Sequence, residues 1–298
     1  MDRWQAMRIF TEVAGAGSFA AAGRRLGLSP PAVTRAVAAL EETIGTRLLV
    51  RTTRLVRLTE AGGRYLEDCR RILADIAEAE AAAAGAHATP TGTLRITASV
   101  LFGEIYVLPI LTEFLDRYPS VDVSGLFLDR VVNIVEEGID VAVRIGHLQD
   151  SGLAAIRVGT VRRVVCGAPA YFARHGIPAA PAELAGHRII APTGASASLD
   201  WRFGPGPPRS VTVQPRLSCN TNAAAIAAAL AGWGVTRLLS YQVAGLLAEG
   251  RLQRVLAEFE EDPLPIHVVH AEGRRAAARV RSFVDLAVER LRANSLLR

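Results

Sequence analysis

Arginine side chains give the start of this sequence an excess of positive charge. Residues 1–58 contain nine Arg and four acidic residues, whereas residues 59–298 contain 25 of each charge. Guanidinium groups match phosphate oxygens in paired hydrogen bonds. A short basic segment on a neutral remainder is typical of nucleic-acid-binding proteins. A chance excess of charge on a solvated surface is the alternative, because fields of this size also occur in proteins that bind no nucleic acid.

Cysteine and histidine side chains are the candidates for catalysis. A thiol–imidazole pair would need Cys166 or Cys219 beside one of four histidines, namely His175, His187, His267 and His270. No local signature surrounds either cysteine, and a buried structural cysteine is far more common. His267 and His270 are three apart in a strand-like run, so they face opposite sides. No Walker, Rossmann or nucleophile-elbow motif occurs, and we expect no enzyme, metal site or cofactor.

The remaining composition predicts a globular cytoplasmic protein. Half of the residues are hydrophobic, and the three cysteines form no Cys-x-x-Cys pair, which fits a reducing compartment. The polar residues 1–5 lead into no secretory signal. The longest uncharged apolar stretch, 223–235, is shorter than the ~20 residues that span a bilayer. We expect no membrane partner.

Three helices are predicted to position the arginines of the first 58 residues. The first covers 4–16, the second starts after Ser18, and the third starts after Ser29, with Pro30 and Pro31 where a missing N–H costs little. Apolar residues of the third helix recur at helical spacing: Val33, Val37, Leu40 and Ile44.

Thr34 and Arg35 lie on the opposite face of this third helix. Two helices joined by a short glycine-containing turn form the arrangement that sends the second helix into a DNA major groove. A generic helical hairpin is the alternative reading.

A basic wing is predicted to follow the third helix. Residues 47–58 read as two short strands around a turn at Thr52 and Thr53, with Arg51 and Arg54 placed to contact phosphates beside the groove.

One long helix is predicted over residues 59–86. Apolar or near-apolar residues recur with heptad spacing at Tyr65, Cys69, Ile72 and Ile76. This spacing favours pairing of two such helices, and therefore a homodimer. Packing of the helix on its own chain is the alternative. The breaker residues 87–92 (HATPTG) predict a hinge.

The remaining segment, 93–298, alternates strand-like and helix-like patterns. Strands are predicted at 94–98, 121–126 and 139–145, helices at 107–118 and 221–230, and a loop at 193–209. Strands separated by helices of this length indicate βαβ units and a largely parallel sheet.

Several segments, in the same order along the chain, resemble the LysR-type transcriptional regulators. In the first 62 residues, which we call the head, they are 19–35 (FAAAGRRLGLSPPAVTR), 40–41 (LE), 45–51 (GTRLLVR) and 58–62 (LTEAG). In the remaining segment they are 114–119 (FLDRYP), 135–140 (VEEGID) and 230–235 (LAGWGV). The resemblance covers nearly the whole chain.

The resemblance implies a DNA-binding transcription regulator controlled by a small-molecule effector. Its implied α/β architecture is an N-terminal winged helix-turn-helix, a long linker helix and a periplasmic-binding-protein-like domain of two α/β subdomains. We expect a winged helix-turn-helix at 1–58, a linker and dimerisation helix at 59–86, a hinge at 87–92 and an effector-binding domain at 93–298. Subdomain I would comprise about 93–162 and 267–298, and subdomain II about 163–266. The partners would be double-stranded DNA, an effector and further copies of the chain, in a homodimer or homotetramer.

The resemblance also assigns residues to both sites. The expected DNA-binding residues are Ser18, Ser29, Pro30, Pro31, Thr34, Arg35, Arg51, Thr52, Thr53 and Arg54. The expected effector-binding residues are Ser99, Val100, Phe102, Leu128, Asp129, Arg144, Gly146, Ser196 and Asn222. Local alternatives are a helix-capping role for Ser99, a core position for Phe102 and an ion pair for Arg144. A solute-binding transport component would share the fold of 93–298, but it would need an export signal and no basic head.

The sequence departs from the family pattern at two places. Members of the family often have Gln or Ser where this chain has Pro30 and Pro31, so reading of bases there falls to apolar contacts or to Thr34 and Arg35. The family commonly continues its Gly-x-Gly-Ile motif into Leu-Pro, whereas in this chain Val235 is followed by residues 236–240 (TRLLS).

Overall fold

A computed structural model describes most of the chain. The described residues are 2–51, 56–83, 89–130, 132–148, 152–193, 198–204, 209–271 and 276–297. They form two compact units, which comprise residues 1–93 and 94–298.

Four helices and a two-stranded sheet make up the first unit. They are α1 Arg3–Ala16, α2 Phe19–Leu26, α3 Pro30–Ile44, β1 Leu49–Arg51, β2 Val56–Leu58 and α4 Glu60–Ala83. The three-helix prediction is confirmed, as is the antiparallel pairing of β1 with β2.

The helix ends follow from local sequence. The Ser18 hydroxyl accepts a hydrogen bond from the Ala21 N–H at 3.3 Å and caps α2. Gly27 ends α2 with φ 67°, a left-handed conformation that glycine adopts at little cost. Pro30 and Pro31 occupy the first two positions of α3, where backbone donors have no partner within the helix.

The long helix α4 contacts α1 within its own chain. Leu66 and Cys69 of α4 are buried in the same apolar cluster as Phe10 of α1, and the rings of Phe10 and Tyr65 lie 5.8 Å apart. Tyr65 and Cys69 therefore stabilise this unit from within. The predicted pairing surface must be corrected to exclude Cys69, because a fully buried side chain cannot meet a second helix.

Two five-stranded sheets form the second unit. In the first, the strand order is β4 (Val121–Phe127), β3 (Gly92–Ala98), β5 (Val141–Ile145), β14 (Leu264–His270) and β6 (Ala154–Val161). In the second, it is β11 (Pro215–Cys219), β8 (Ile189–Pro192), β12 (Val235–Leu239), β7 (Arg163–Gly167) and β13 (Gln253–Val255).

The pairing corrects two predictions. Strand β14 is antiparallel to β5 and β6, and β7 is antiparallel to β12 and β13, so both sheets are mixed rather than largely parallel. A hairpin of β9 (Asp200–Phe203) and β10 (Arg209–Thr212) begins inside the segment predicted as loop. It forms because Trp201 and Phe203 are buried while their neighbours are exposed.

The helices of the second unit follow the strands. They are α5 Val100–Phe102, α6 Leu108–Arg117, α7 Pro169–His175, α8 Asn222–Leu230, α9 Ser240–Ala248 and α10 Ala278–Ala293. A π-helical segment, Gly103–Val107, joins α5 to α6. Short 3-10 helices occur at Pro181–Gly186, Ala257–Phe259 and Ser295–Leu297.

The two sheets define the two subdomains. The chain crosses between them from β6 to β7 and again from β13 to β14. The expected boundary at 267 falls inside β14, so subdomain I resumes at or before Leu264. None of the helices described here combines the length and hydropathy that a membrane span requires.

Candidate DNA-binding surface and effector cleft

Helix α3 has one buried and one exposed face. Val33 and Val37 are fully buried in the core of the first unit. Pro30, Pro31 and Arg35 are exposed, and Thr34 is half-buried. The start of α3 can therefore present a basic, apolar-rimmed surface to a partner.

Ser29 precedes α3 at the N-cap position. Its hydroxyl makes no capping hydrogen bond with the described residues of the head, and the side chain is exposed. The hydroxyl is therefore available to bind a phosphate or a base edge.

Glu41 holds the wing against α3. Its Oε1 accepts hydrogen bonds from the backbone N–H groups of Leu48 and Leu49, at 2.8 and 3.0 Å. Carboxylate acceptors form the stronger class of hydrogen bond. Glu41 therefore fixes the start of β1 relative to α3.

The wing also docks on the start of α4. The Thr59 hydroxyl donates to the Arg47 carbonyl at 2.8 Å and accepts from the Gly62 N–H at 2.8 Å. A Cβ atom on Gly62 would lie 1.9 Å from the Leu48 carbonyl oxygen. Only glycine fits this approach, which explains the Gly of the 58–62 segment.

The predicted wing contacts lie at the limit of the described structure. Thr52, Thr53 and Arg54 fall outside the described residues, and Arg51 is described only as backbone of β1. Arg47 and Arg57 flank this turn with exposed side chains.

Helix α4 retains an apolar surface beyond the head. Ile72 is 39% exposed, and Ile76, one turn later, is half-buried. These are the two predicted pairing residues that a second helix could contact.

In the second unit, the predicted effector residues follow the ends of strands in subdomain I. Ser99 follows β3, Asp129 follows β4 and Gly146 follows β5. Asn222 follows β11 in subdomain II. The carboxyl ends of strands are where α/β domains commonly place ligands.

Asp129 connects the two subdomains at these strand ends, and we call the space between the two subdomains here the cleft. Its Oδ1 accepts a hydrogen bond from the Val100 N–H at 3.1 Å, and its Oδ2 accepts from the Asn222 side-chain amide at 3.5 Å. The structure therefore brings Val100, Asp129 and Asn222 together, although they are up to 122 positions apart in the sequence.

A second contact joins Ser99 to Tyr241 of α9, with 3.5 Å between the two hydroxyl oxygens. Tyr241 is 4% exposed, and burial raises the pKa of its phenol. The Gln242 amide donates to the same phenol at 3.3 Å. Tyr241 and Gln242 were not predicted from the sequence, although their position directly after strand β12 matches that of the predicted residues.

Phe102 belongs to the core beneath the cleft. It is 1% exposed, and its ring centroid lies 4.9 Å from that of Tyr106 and 5.2 Å from that of Tyr241. The core alternative for Phe102 therefore describes its packing, and its ring supports Tyr241.

Leu128, Arg144 and Gly146 are fixed mainly by backbone groups. The Leu128 N–H donates to the Ala98 carbonyl at 2.9 Å, and the Gly146 N–H donates to the Pro265 carbonyl at 2.8 Å. Arg144 donates to the Val132 carbonyl at 2.7 Å. Burial lowers the pKa of the Arg144 guanidinium, and the nearby Glu137 carboxylate opposes that shift. Ser196 lies outside the described residues.

The cysteine and histidine side chains considered for catalysis lie mostly in packed surroundings. Among the described residues no group of three or more His, Cys, Asp or Glu could hold a metal ion. Burial raises the pKa of the Cys166 thiol to about 12, which disfavours the reactive thiolate. The rings stacked around Tyr171 include His175 and His187, which places these two histidines in a packed cluster.

Comparisons with known proteins match both units. The model described as "Bacterial regulatory helix-turn-helix protein, lysR family" matches residues 4–63. The model described as "LysR substrate binding domain" matches residues 87–292.

Full-length relatives match along the whole chain. The HTH-type transcriptional regulator CrgA of Neisseria meningitidis (strain 8013) is 33% identical over 96% of each chain. An HTH-type transcriptional repressor of Pseudomonas aeruginosa (strain UCBPP-PA14) is 34% identical over 97% of this chain and 92% of the repressor. The solved structure of CrgA, a LysR-type regulator from Neisseria meningitidis, is 31% identical, with a TM-score of 0.63 over 97% of this chain and 99% of that one. Since both units and the full length agree, the chain belongs to the LysR family of transcriptional regulators.

Proposed function

We propose that the chain recognises a specific operator with the start of α3 and changes its activity when a small molecule occupies the cleft between its two sheets. The exposed start of α3 is the observation that carries the DNA part of this proposal. A buried apolar stripe fixes the helix, while Pro30, Pro31 and Arg35 face outward.

Arg35 is the residue we propose for base discrimination. It lies in the second turn of α3, on an exposed face. Paired hydrogen bonds from arginine to guanine are the commonest specific contact in the major groove. Ser18, Ser29, Thr34, Arg51, Thr52, Thr53 and Arg54 are proposed as further DNA contacts, with the wing arginines on phosphates.

Titration of the purified protein with its own upstream DNA and with scrambled DNA tests this assignment. We expect Arg35→Ala to lose about 1–3 kcal/mol of discrimination between the two DNAs. Most of its binding to scrambled DNA should remain.

Arg216→Ala is the matched control, because Arg216 is an exposed arginine of strand β11 in the other unit. It should leave both titrations unchanged. If Arg35→Ala weakens binding to both DNAs equally and also reduces the salt dependence of that binding, Arg35 contacts phosphate and the assignment is wrong.

The effector part of the proposal uses the residues that meet across the cleft. Ser99, Val100, Asp129 and Asn222 are proposed as contacts, and Tyr241 and Gln242 are added to them. The rim of the cleft is proposed to consist of Leu128, Arg144, Gly146 and Ser196. Phe102 is proposed to support the site from the core beneath it.

We further propose that the protein is a cytoplasmic homo-oligomer without catalytic activity. Helix α4 would pair with a second copy through Ile72 and Ile76, giving at least a homodimer. A homotetramer would require a further contact between the effector-binding units.

A further inference from the structure

The cleft carries a negative charge whose partners are all neutral. Asp129 accepts hydrogen bonds from the Val100 N–H and the Asn222 amide. No arginine or histidine of the described residues lies within ion-pair distance of its carboxylate. A half-buried carboxylate without a counter-charge attracts cations strongly, because the surrounding dielectric is lower than that of water.

The helix starts beside the cleft already have internal acceptors. Asp129 occupies the Val100 N–H at the start of α5, and the Thr221 hydroxyl accepts from the Ala224 N–H at the start of α8. At the start of α9, the Arg162 carbonyl accepts from the Ser240 N–H. Backbone N–H groups at helix starts normally attract anions, and here these particular donors are taken.

The polar groups that meet beside Asp129 are neutral, and the guanidinium of Arg144 at the rim donates to the Val132 carbonyl. The Ser99 and Tyr241 hydroxyls face each other at 3.5 Å, and Gln242 donates to the Tyr241 phenol. Hydroxyl oxygens and amide oxygens accept hydrogen bonds from ammonium or guanidinium groups. The Asp129 charge also reaches the Tyr241 phenol, where it contributes to the raised pKa.

We propose that the effector is a cation, with an ammonium, amidinium or guanidinium group that binds to Asp129. This proposal rests on the effector-controlled function proposed above and names the chemical class of that effector. The cation replaces the 3.5 Å contact between Asp129 and Asn222, so binding changes the link between the two subdomains.

Thermal unfolding and calorimetry of the full-length protein test the proposal with probes of opposite charge and similar shape. One pair is benzamidine and benzoate, and the other is agmatine and adipate. The cations should raise Tm in proportion to the logarithm of their concentration once binding is saturated. The anions should leave Tm unchanged at the same concentrations.

Two variants locate the charge. Asp129→Asn should weaken binding of the cation by at least about tenfold, because a charge-assisted hydrogen bond is lost. Asp122→Asn is the matched control, since Asp122 is an exposed aspartate of the neighbouring strand β4, and it should bind the cation like the wild type.

Three results would overturn the proposal: tighter binding of an anion than of its cationic counterpart, unchanged cation affinity in Asp129→Asn, or no Tm response to either cation up to about 10 mM. The comparison of opposite charges uses the wild type, so it holds even if Asp129→Asn does not fold. Retained binding of the wild type to its upstream DNA would show that such a failure concerns the effector class and leaves the regulator function intact.

Discussion

Glu41 shows how one side chain can link helix α3 to the wing. Its carboxylate binds two consecutive backbone N–H groups, those of Leu48 and Leu49. Leu48 and Leu49 are 1% and 3% exposed, so water cannot readily replace the carboxylate at these donors. An unsatisfied buried donor carries a larger free-energy cost than the average hydrogen bond contributes.

We predict that Glu41→Ala lowers the free energy of unfolding by about 1–3 kcal/mol, because at least one buried N–H loses its acceptor. Urea unfolding monitored by circular dichroism measures the effect. The neighbouring Glu42 is exposed, so Glu42→Ala should change stability by less than about 0.5 kcal/mol. Equal stabilities for the two variants would contradict the assigned role.

At the residue scale, the position of a residue in the fold was easier to predict from the sequence than the contacts that its side chain makes. Ser18 and Ser29 both precede helices as expected, but only Ser18 caps its helix through the side chain. Asp129 was expected in the cleft, whereas Tyr241 was not. Their meeting depends on two loops from different sheets, and no local pattern encodes such a distance.

At the element scale, helix α4 explains why periodicity alone misassigns a surface. The heptad spacing of Tyr65, Cys69, Ile72 and Ile76 requires a buried stripe, but it does not say what covers that stripe. In the structure, α1 covers the first two residues. Only the later part of the stripe remains open to a second chain.

We predict that a combined Ile72→Asp and Ile76→Asp variant is monomeric in light scattering, because two charges would enter the apolar contact between paired helices. Arg70→Asp is the control, since Arg70 is exposed and lies on another face of α4. It should keep the mass of the wild type. A double variant with an unchanged mass would exclude α4 as the pairing element.

The hairpin of β9 and β10 was not predicted, because the amino-acid composition of this segment is typical of a loop. Glycine and proline around it favoured a loop, yet Asp200–Phe203 alternates exposed and buried side chains. Trp201 and Phe203 face the core of the second sheet. The period-two signal was present, but four residues are too few to outweigh flanking turn residues.

At the scale of the whole molecule, the division into two units follows from breaker residues near 87–92 and from separate apolar cores. The first unit has its own buried cluster, and the sheets of the second unit have theirs. The concentration of arginine in residues 1–58 and the breaker residues 87–92 are the sequence signals for a boundary in this part of the chain. The mixed strand directions could not be predicted, because antiparallel β14 pairs with strands that are more than a hundred positions earlier.

We predict that a truncated protein of residues 91–298 folds and binds the same cation as the full-length chain, because strand β3 begins at Gly92 and the proposed contacts lie beyond it. Calorimetry of both proteins with benzamidine or agmatine gives the comparison. The far-ultraviolet circular dichroism of the truncated protein should show a cooperative thermal transition. Binding to the full-length chain alone would place the effector contacts outside this unit.

Ser240 ties the start of α9 to one of the two crossings between the subdomains. Its N–H donates to the Arg162 carbonyl at 2.8 Å, and its Oγ accepts from the Arg162 N–H at 3.1 Å. A proline at this position could not donate the first bond and would have no hydroxyl to accept the second. Arg162 lies between β6 and β7, where the chain crosses from one sheet to the other. Separation of the two subdomains at this crossing would break both bonds, so we expect hydrogen exchange at the Ser240 and Arg162 amides to report how readily the two subdomains open there.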